Sequence, residues 1–189
     1  TNKEHVSAVS HLHQTLLPES ILSQIGYLFL NNFYYKRLTK DGLIDIYLYQ
    51  KEGEYVGFIS CTNFPFTFMK EGIKKHFIYL GIYLFLSIFI RPRAVISLFK
   101  KQDDQLLNSL SETYGDTIGQ FLSFGVLAKH RKHIDDQSSK TIPNTLMEVV
   151  FKNFKTTNKE LFFLLVLKSN NTAKRFYEKN KGIKLSDII

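Results

Sequence analysis

The chain has 189 residues, of which 44% are hydrophobic and 14% aromatic, and this is enough apolar material for the core of one domain. A formal net charge of +8 attracts anionic partners, but basic and aromatic residues do not interleave as a nucleic-acid-binding surface requires. A single cysteine, Cys61, excludes an internal disulfide and a zinc knuckle and favours a buried structural thiol. The six histidines show no metal-ligand spacing, so we expect no metal.

Polar and charged residues interrupt the first 20 positions, which argues against a signal peptide and leaves the cytoplasm as the default compartment. The apolar run 77–90 is shorter than the roughly 20 residues that a spanning helix needs. It lies between the basic segments Lys74-Lys75-His76 and Arg91-Pro92-Arg93. A buried core helix and a helix lying on a membrane surface both remain open.

The first 62 residues predict two helices followed by a β-hairpin. Apolar residues at helical spacing predict helices over 4–17 and 21–37. Alternation over 43–50 and a β-branched, aromatic run over 55–62 predict two paired strands, because a Gly-containing turn joins them.

The middle of the chain predicts a long apolar helix over 68–90, and Pro92 interrupts the helical pattern directly after it. Whether residues 94–101 form a further helix is left open. Residues 103–116 are polar and are expected at the surface. A strand is expected over 119–126, and a polar loop over 128–141.

The last third predicts a helix over 143–154 with Pro143 in its first turn, a buried strand over 161–167 and a helix over 172–179. Asn170 and Asn171 break the apolar run and suit a helix N-cap. Helices and strands in this order indicate a mixed α/β sheet.

The segment Asn170-x-x-Ala173-x-x-Phe176-Tyr177-Glu178-Lys179 resembles a signature of the GCN5-related N-acetyltransferase (GNAT) family, which transfers an acyl group from acyl-CoA to an amine. The resemblance implies an α+β fold with a mixed, mostly antiparallel central sheet flanked by helices. It implies one domain over 1–189, with a helical, apolar and basic insertion at about 68–101. In character the chain is closest to members linked to surface-polysaccharide biosynthesis.

The resemblance also implies acetyl-CoA as co-substrate. Residues 120–131 look like the family's central strand and the start of its CoA loop. The implied cofactor-binding residues are Val126, Leu127, Arg131, Ser138, Ser139, Lys140, Thr141, Asn170, Ala173, Phe176 and Tyr177. The loop departs from the family's Arg-Gly-x-Gly-x-Gly pattern, since it contains no glycine and carries Asp135 and Asp136. Close approach of its backbone to a phosphate is therefore harder, and donors from 138–141 would have to substitute.

Tyr177 matches the family tyrosine that protonates the departing CoA thiolate, and a packed aromatic beside Phe176 is the alternative. Asn170 matches a CoA-contacting asparagine and also suits a helix cap. Gln120 stands where many relatives carry a glutamate base, and an amide cannot accept the proton. The sequence identifies no general base, because the nearby titratable residues suit a solvated surface. These are Glu112, Asp116 and His130.

The resemblance therefore predicts a cytoplasmic N-acetyltransferase that moves an acetyl group from acetyl-CoA to a primary amine, with an amino sugar or nucleotide-sugar as a candidate acceptor. A non-catalytic GNAT-fold binding module and a peripheral membrane-associated relative remain open. The family's opening strand and closing hairpin strand have no counterpart in residues 1–189, and a homodimer also remains open.

Overall fold

The computed structural model describes residues 2–90, 104–135 and 138–185. Within these residues, four strands form one sheet in the order β1–β2–β3–β4. The strands are β1 (Asp45–Lys51), β2 (Glu54–Thr62), β3 (Ile118–Val126) and β4 (Leu161–Leu164). The first two pairings are antiparallel and β3 pairs with β4 in parallel. Helices flank the sheet, so the predicted α+β fold with a mixed, mostly antiparallel sheet is confirmed.

The hairpin of β1 and β2 forms where the sequence predicts it. Its two turn residues, Glu52 and Gly53, both have positive φ angles of 51° and 83°. A turn of this kind matches the right-handed twist of the flanking strands, and glycine adopts it without steric cost.

Five helical segments pack against one face of the sheet or against each other. They are α1 (Lys3–Leu16), α2 (Ile21–Ile25), α3 (Tyr27–Phe29), a π-helix (Leu30–Tyr35) and α4 (Lys36–Lys40). The prediction of one continuous helix over 21–37 is wrong at Gly26, whose φ of 120° is not helical. The apolar spacing continues across this break, so the pattern does not reveal it. Glycine adopts this backbone conformation without the steric cost that a side chain would impose.

Among the described residues, the next helices are α5 (Phe68–Ile90) and α6 (Asp104–Tyr114). None of the helices in the described part of the chain combines the length and the hydropathy that crossing a bilayer requires. Helix α5 confirms the prediction for 68–90, with one non-helical residue at His76. The prediction that 103–116 is surface material is wrong in part, because Leu110 is buried against Ile118 and Phe163. The predicted helix 94–101, and the part of the predicted insertion beyond residue 90, lie outside the described residues.

The opposite face of the sheet carries α7 (Ile142–Thr156), with Pro143 in its first turn as predicted. Its buried residues form a second core with β2 and β3, and Cys61 lies fully buried in that core as predicted. The members contributed by α7 are Ile142, Leu146, Met147, Val150 and Phe154.

Strand β4 is shorter than predicted and is not buried. The sequence predicts a buried strand over 161–167, but β4 ends at Leu164 and only Phe163 is buried. Leu165 and Leu167 are exposed. The error arises because an apolar run does not tell whether its strand will have neighbours on both sides. Helix α8 (Asn171–Lys179) follows as predicted.

Candidate functional site

The two parallel strands β3 and β4 separate along their length. They pair from Ile118 with Leu161 to Phe121 with Leu164, and β3 then runs on to Val126. Beyond Phe121, this side of β3 has no strand partner within the described residues. A strand side of this kind presents backbone N–H and C=O groups to whatever lies beside it.

The register of β2 and β3 tells which backbone groups face the open side. The Leu127 N–H donates to the Val56 carbonyl at 2.9 Å, which makes Val126 and Gly57 a pair without mutual hydrogen bonds. The N–H groups of Val126 and Phe124 therefore point away from β2, toward the open side. They can donate to an extended amide-containing ligand or to a single carbonyl oxygen.

Helix α8 begins with a side-chain cap. Asn170 Oδ1 accepts the Ala173 N–H at 3.0 Å, which satisfies one of the free amides of the first turn. The cap that the sequence suggested is thus present, and a contact of Asn170 or Ala173 with CoA stays a prediction.

The second turn of α8 packs on the open part of β3. The Phe124 and Phe176 ring centroids lie 5.7 Å apart, and those of Phe176 and Tyr177 lie 5.4 Å apart. Both α8 aromatics join the core cluster that contains Val126 and Leu127. The fold therefore brings four of the predicted residues together. Phe124 was missed, although it lies two positions before Val126 and so on the same face of the strand.

Tyr177 is half-buried, and burial raises the pKa of its phenol above the ordinary value of 10.0. The phenol consequently keeps its proton at neutral pH. Among the described residues its hydroxyl has no hydrogen-bond partner, so within this part of the fold the phenol does not donate its proton to another group. Such a group can act as a proton donor to a developing anion.

The C-terminus of α8 closes on the backbone of Tyr177. The Gly182 N–H donates to the Tyr177 carbonyl at 2.8 Å, and the Lys181 N–H donates to the Glu178 carbonyl at 3.0 Å. Lys181 has a φ of 66°, the left-handed residue that this Schellman arrangement requires. A side chain at Gly182 would lie 2.9 Å from the Tyr177 carbonyl oxygen.

The loop after β3 is fastened to the hairpin and to the end of β3. The Tyr49 hydroxyl donates to the Asp135 carboxylate, and Lys51 Nζ lies 2.7 Å from His133 Nε2. Arg131 Nε donates to the Val126 carbonyl at 3.0 Å. Arg131 thus holds the end of β3, and its contact with CoA stays a prediction.

Three described amides near the end of this loop are bonded within the loop. The Ser138 N–H donates to Asp135 Oδ2 at 2.9 Å, and the Ser139 N–H donates to the Asp135 carbonyl at 2.9 Å. The Lys140 N–H lies 3.3 Å from Ser138 Oγ. The Asp135 carboxylate therefore takes the place of an external anion on the Ser138 amide.

The first turn of α7 adds few free donors. The Ile142 N–H donates to the His133 carbonyl at 3.1 Å, and Pro143 has no N–H. The Lys140 ammonium is bonded to Glu148 at 2.8 Å. The described amides of Ser138, Ser139, Lys140 and Ile142 and the Lys140 ammonium are therefore already bonded within the protein. Binding roles for Ser138, Ser139, Lys140 and Thr141 stay predictions.

The titratable residues near β3 do not supply an evident base. Gln120 is buried in β3, and Glu112 and Asp116 are exposed. His130 is half-buried, and its enclosed Nε2 has no hydrogen-bond partner among the described residues. Within the same residues no cluster of three or more histidine, cysteine or acidic side chains could hold a metal ion.

No protein-family model matches the sequence, and no curated protein matches it at a significant level. Solved structures do match in three dimensions. AAC(6')-Iy in complex with the bisubstrate analogue CoA-S-monomethyl-acetylneamine superposes with a TM-score of 0.60 at 10% identity, covering 100% of this chain and 91% of that chain. The chain has an N-acetyltransferase fold.

Two further structures agree with this fold. An aminoglycoside acetyltransferase from an uncultured soil metagenomic sample, in complex with sisomicin, gives a TM-score of 0.53 at 9% identity and covers 98% and 84% of the two chains. A ribosomal-protein-alanine N-acetyltransferase from Brucella melitensis biovar Abortus 2308 gives 0.51 at 12% identity, covering 100% and 93%. Likeness at these identities establishes the N-acetyltransferase fold alone.

Proposed function

We propose that the chain is an acyl-CoA-dependent acetyltransferase that moves the acetyl group of acetyl-CoA to a primary amine. The observation that carries the proposal is the open side of β3 beyond Phe121, with two outward amides next to a protonated Tyr177. The similar AAC(6')-Iy structure holds a CoA-linked bisubstrate analogue, which supports a CoA site in this fold.

The chemistry follows from these groups. The pantetheine arm carries amide groups, which the outward backbone N–H of Phe124 can hydrogen-bond. The Val126 N–H would then hold the thioester carbonyl oxygen as negative charge develops on it. The amine lone pair attacks the carbonyl carbon, the C–S bond breaks, and the thiolate takes the proton of the Tyr177 phenol. The proton lost by the amine passes to solvent and from there restores the phenol.

An amino sugar, free or linked to a nucleotide, is the acceptor that we propose to test first. Its support is that similar structures include an aminoglycoside acetyltransferase solved with sisomicin. A protein N-terminus is the competing acceptor, because another similar structure is a ribosomal-protein-alanine N-acetyltransferase. The reaction is proposed to take place in the cytoplasm, where the co-substrate would be drawn from the soluble pool.

Calorimetric titration of the chain with acetyl-CoA tests the proposal, with acetylation of an amine panel as the second readout. We expect saturable binding and release of free CoA only when an amine is present. Absence of binding to a folded chain would refute it and would favour the binding-module alternative. The internal bonding of the amides of Ser138, Ser139, Lys140 and Ile142 is the observation on the side of that alternative.

A further inference from the structure

A hydrogen-bonded cluster of polar side chains lies buried on the α1 side of the sheet, and we call it the His13 network. Its members are His13, Ser20, Tyr35, Ser60 and Ser123. Burial and the neighbouring Tyr34 raise the pKa of Tyr35 well above its usual range, while side-chain hydrogen bonds from Ser123 and Ser60 act in the opposite direction. A hydrogen bond lowers this pKa only if the phenol oxygen accepts it, so both serine hydroxyls donate to Tyr35.

The hydrogen bonds of the network run in one direction, from β3 toward α1. Because the phenol oxygen accepts from the serines, the Tyr35 O–H donates to His13 Nδ1, which lies 2.5 Å away. The other ring nitrogen, Nε2, carries the ring proton and lies 2.9 Å from Ser20 Oγ. Ser20 Oγ also accepts the Ser23 N–H at 3.1 Å, which holds it in place. His13 Nδ1 is therefore kept as a proton acceptor behind Tyr35.

Ser123 brings this network to the open side of β3. Side chains alternate along a strand, and those of Phe124 and Val126 belong to the core on the α7 side, together with Tyr177. The Ser123 side chain lies on the other face, where it reaches Tyr35. It is 8% exposed, whereas Ser60 on β2 is fully enclosed. Tyr177 and Ser123 thus lie on opposite faces of the sheet beside the same open stretch of β3.

Two backbone irregularities occur at the residues that carry the network. The register of β2 and β3 shifts between Ser60 and Cys61, directly beside Ser123, and inserts one extra residue into β3. Tyr35 is the last residue of the π-helix. β-Bulges redirect side chains and are frequent next to active sites, and π-helical turns are likewise frequent at functional sites.

We propose that Ser123 takes the proton that the attacking amine loses, and that Tyr35 relays the positive charge to His13. This inference rests on the proposed acetyl transfer and supplies the base that the titratable residues near β3 do not. As the amine nitrogen bonds to the carbonyl carbon, its proton passes to Ser123 Oγ, the Ser123 proton to Tyr35 Oη, and the Tyr35 proton to His13 Nδ1. On the other face the C–S bond breaks, and the thiolate takes the proton of Tyr177.

The burial of His13 lets the relay return to its starting state. A nitrogen that has bonded to the carbonyl carbon is more acidic than a free ammonium ion, so a weak base can accept its proton. Burial lowers the pKa of His13 to about 4, and the imidazolium therefore gives the proton back at neutral pH. After the amide product leaves, the proton runs back through the two hydroxyls to water at Ser123. Only Ser123 touches the acceptor, and Tyr35 and His13 act through it as positioning residues.

Steady-state kinetics of Ser123→Ala and Tyr35→Phe test the proposal, with acetyl-CoA and a panel of glucosamine, sisomicin and a peptide with an N-terminal alanine. We expect kcat at about pH 7 to fall roughly tenfold to a hundredfold in both variants. The Kd for acetyl-CoA, measured by calorimetry, should stay at the parent value. The deficit relative to the parent should shrink toward about pH 9, because hydroxide then takes the proton directly. A merely structural defect would lower kcat by the same factor at every pH.

Tyr34→Phe is the matched control for Tyr35→Phe. Tyr34 is buried beside Tyr35, with ring centroids 5.0 Å apart, and among the described residues its hydroxyl has no hydrogen-bond partner. Tyr34 and His13 are the titratable groups described in contact with Tyr35. The control should keep the parent kcat at each pH. Ser123→Ala leaves both contacts of His13 in place, so it tests the relay even where Tyr35→Phe lowers stability.

Three results would overturn the relay. They are the parent kcat in Ser123→Ala or Tyr35→Phe, an equal loss in Tyr34→Phe, and a loss that does not change with pH. Failure of the acetyltransferase proposal looks different, because the parent chain itself would then bind no acetyl-CoA or acetylate no amine. Transfer by the parent together with undiminished transfer by Tyr35→Phe would refute the relay alone.

Discussion

His13 and Tyr35 are joined by a hydrogen bond inside the protein, with His13 Nδ1 2.5 Å from Tyr35 Oη and both side chains fully buried. The second ring nitrogen, Nε2, lies 2.9 Å from the hydroxyl of Ser20, the N-cap of α2. A neutral imidazole satisfies both contacts, with one nitrogen donating and the other accepting. The ring thereby connects α1, α2 and the π-helix at one buried point.

Protonation of His13 is expected to destabilise the fold in acid. Burial lowers the pKa of His13 from 6.5 to about 4, so between these values the unfolded chain binds a proton that the folded chain does not. The contribution of neutral His13 to the free energy of unfolding is therefore fully present above pH 6.5. It falls as the pH drops, by about 3 kcal/mol in total at pH 4. Denaturant unfolding at several pH values measures this slope.

His13→Gln should be less stable than the parent at neutral pH and should lack this contribution to the slope between pH 4 and 6.5. His11→Gln, at an exposed position of the same helix, is the control and should keep the parent slope. An unchanged slope in the His13 variant would mean that other groups cause the acid sensitivity.

Tyr177→Phe is expected to slow acetyl transfer without abolishing acetyl-CoA binding. The phenol proton would be missing when the thiolate leaves, and general acid catalysis contributes roughly 10²-fold or more. Because the hydroxyl has no partner among the described residues, the free energy of unfolding should change by less than about 1 kcal/mol. Steady-state kinetics and calorimetry check both parts, with Tyr114→Phe as control. Equal turnover by parent and variant would remove Tyr177 from the mechanism.

Lys181→Gly is expected to stabilise the protein. Lys181 holds a φ of 66°, and a side chain in this left-handed region costs about 1 kcal/mol that glycine does not incur. The gain is reduced by the greater freedom of glycine in the unfolded chain, so we expect about 0.5 kcal/mol net. Lys179→Gly, inside α8, should instead destabilise. Thermal unfolding compares the two, and a lower Tm for Lys181→Gly would contradict the prediction.

Asp135→Asn is expected to strengthen CoA binding. The amide oxygen can still accept the Ser138 N–H, and the amide NH2 can donate to the Tyr49 hydroxyl oxygen, which now donates to the carboxylate. The negative charge that would repel a pyrophosphate is removed. We expect roughly a tenfold lower Kd for CoA, about 1.4 kcal/mol, and no change for pantetheine, which lacks the pyrophosphate. Glu112→Gln is the control for a general loss of negative charge. An equal gain for pantetheine would show that the loop does not meet the pyrophosphate.

Sequence patterns predicted β3 and β4 as strands but not where their pairing ends. Apolar runs indicated a strand in each segment, and both segments form strands. That β4 ends at Leu164 while β3 continues to Val126 has no local signal, because it depends on pairing between residues some 40 positions apart in the chain. The open side of β3 is a consequence of that pairing and could not be predicted.

Local chemistry by itself determined several parts of this protein. The Glu52-Gly53 turn, the Asn170 cap, Pro143 at the start of α7 and the helical spacing in α1 each depend on neighbours within a few residues, and each was evident in the sequence. The family resemblance also predicts Asp135 as an unfavourable charge in the loop that would bind CoA.

Only the tertiary structure decided what these elements do together. Tyr49 meets Asp135 across 86 positions of the chain, and His13 meets Tyr35 across 22 positions and three helix boundaries. Residues 77–90 are apolar throughout in the sequence, but only packing shows that Leu80 lies against the core while Phe77 and Ile78 are exposed. Hydrophobic pattern reports which residues favour burial, and the shape of the whole fold decides which of them find a neighbour.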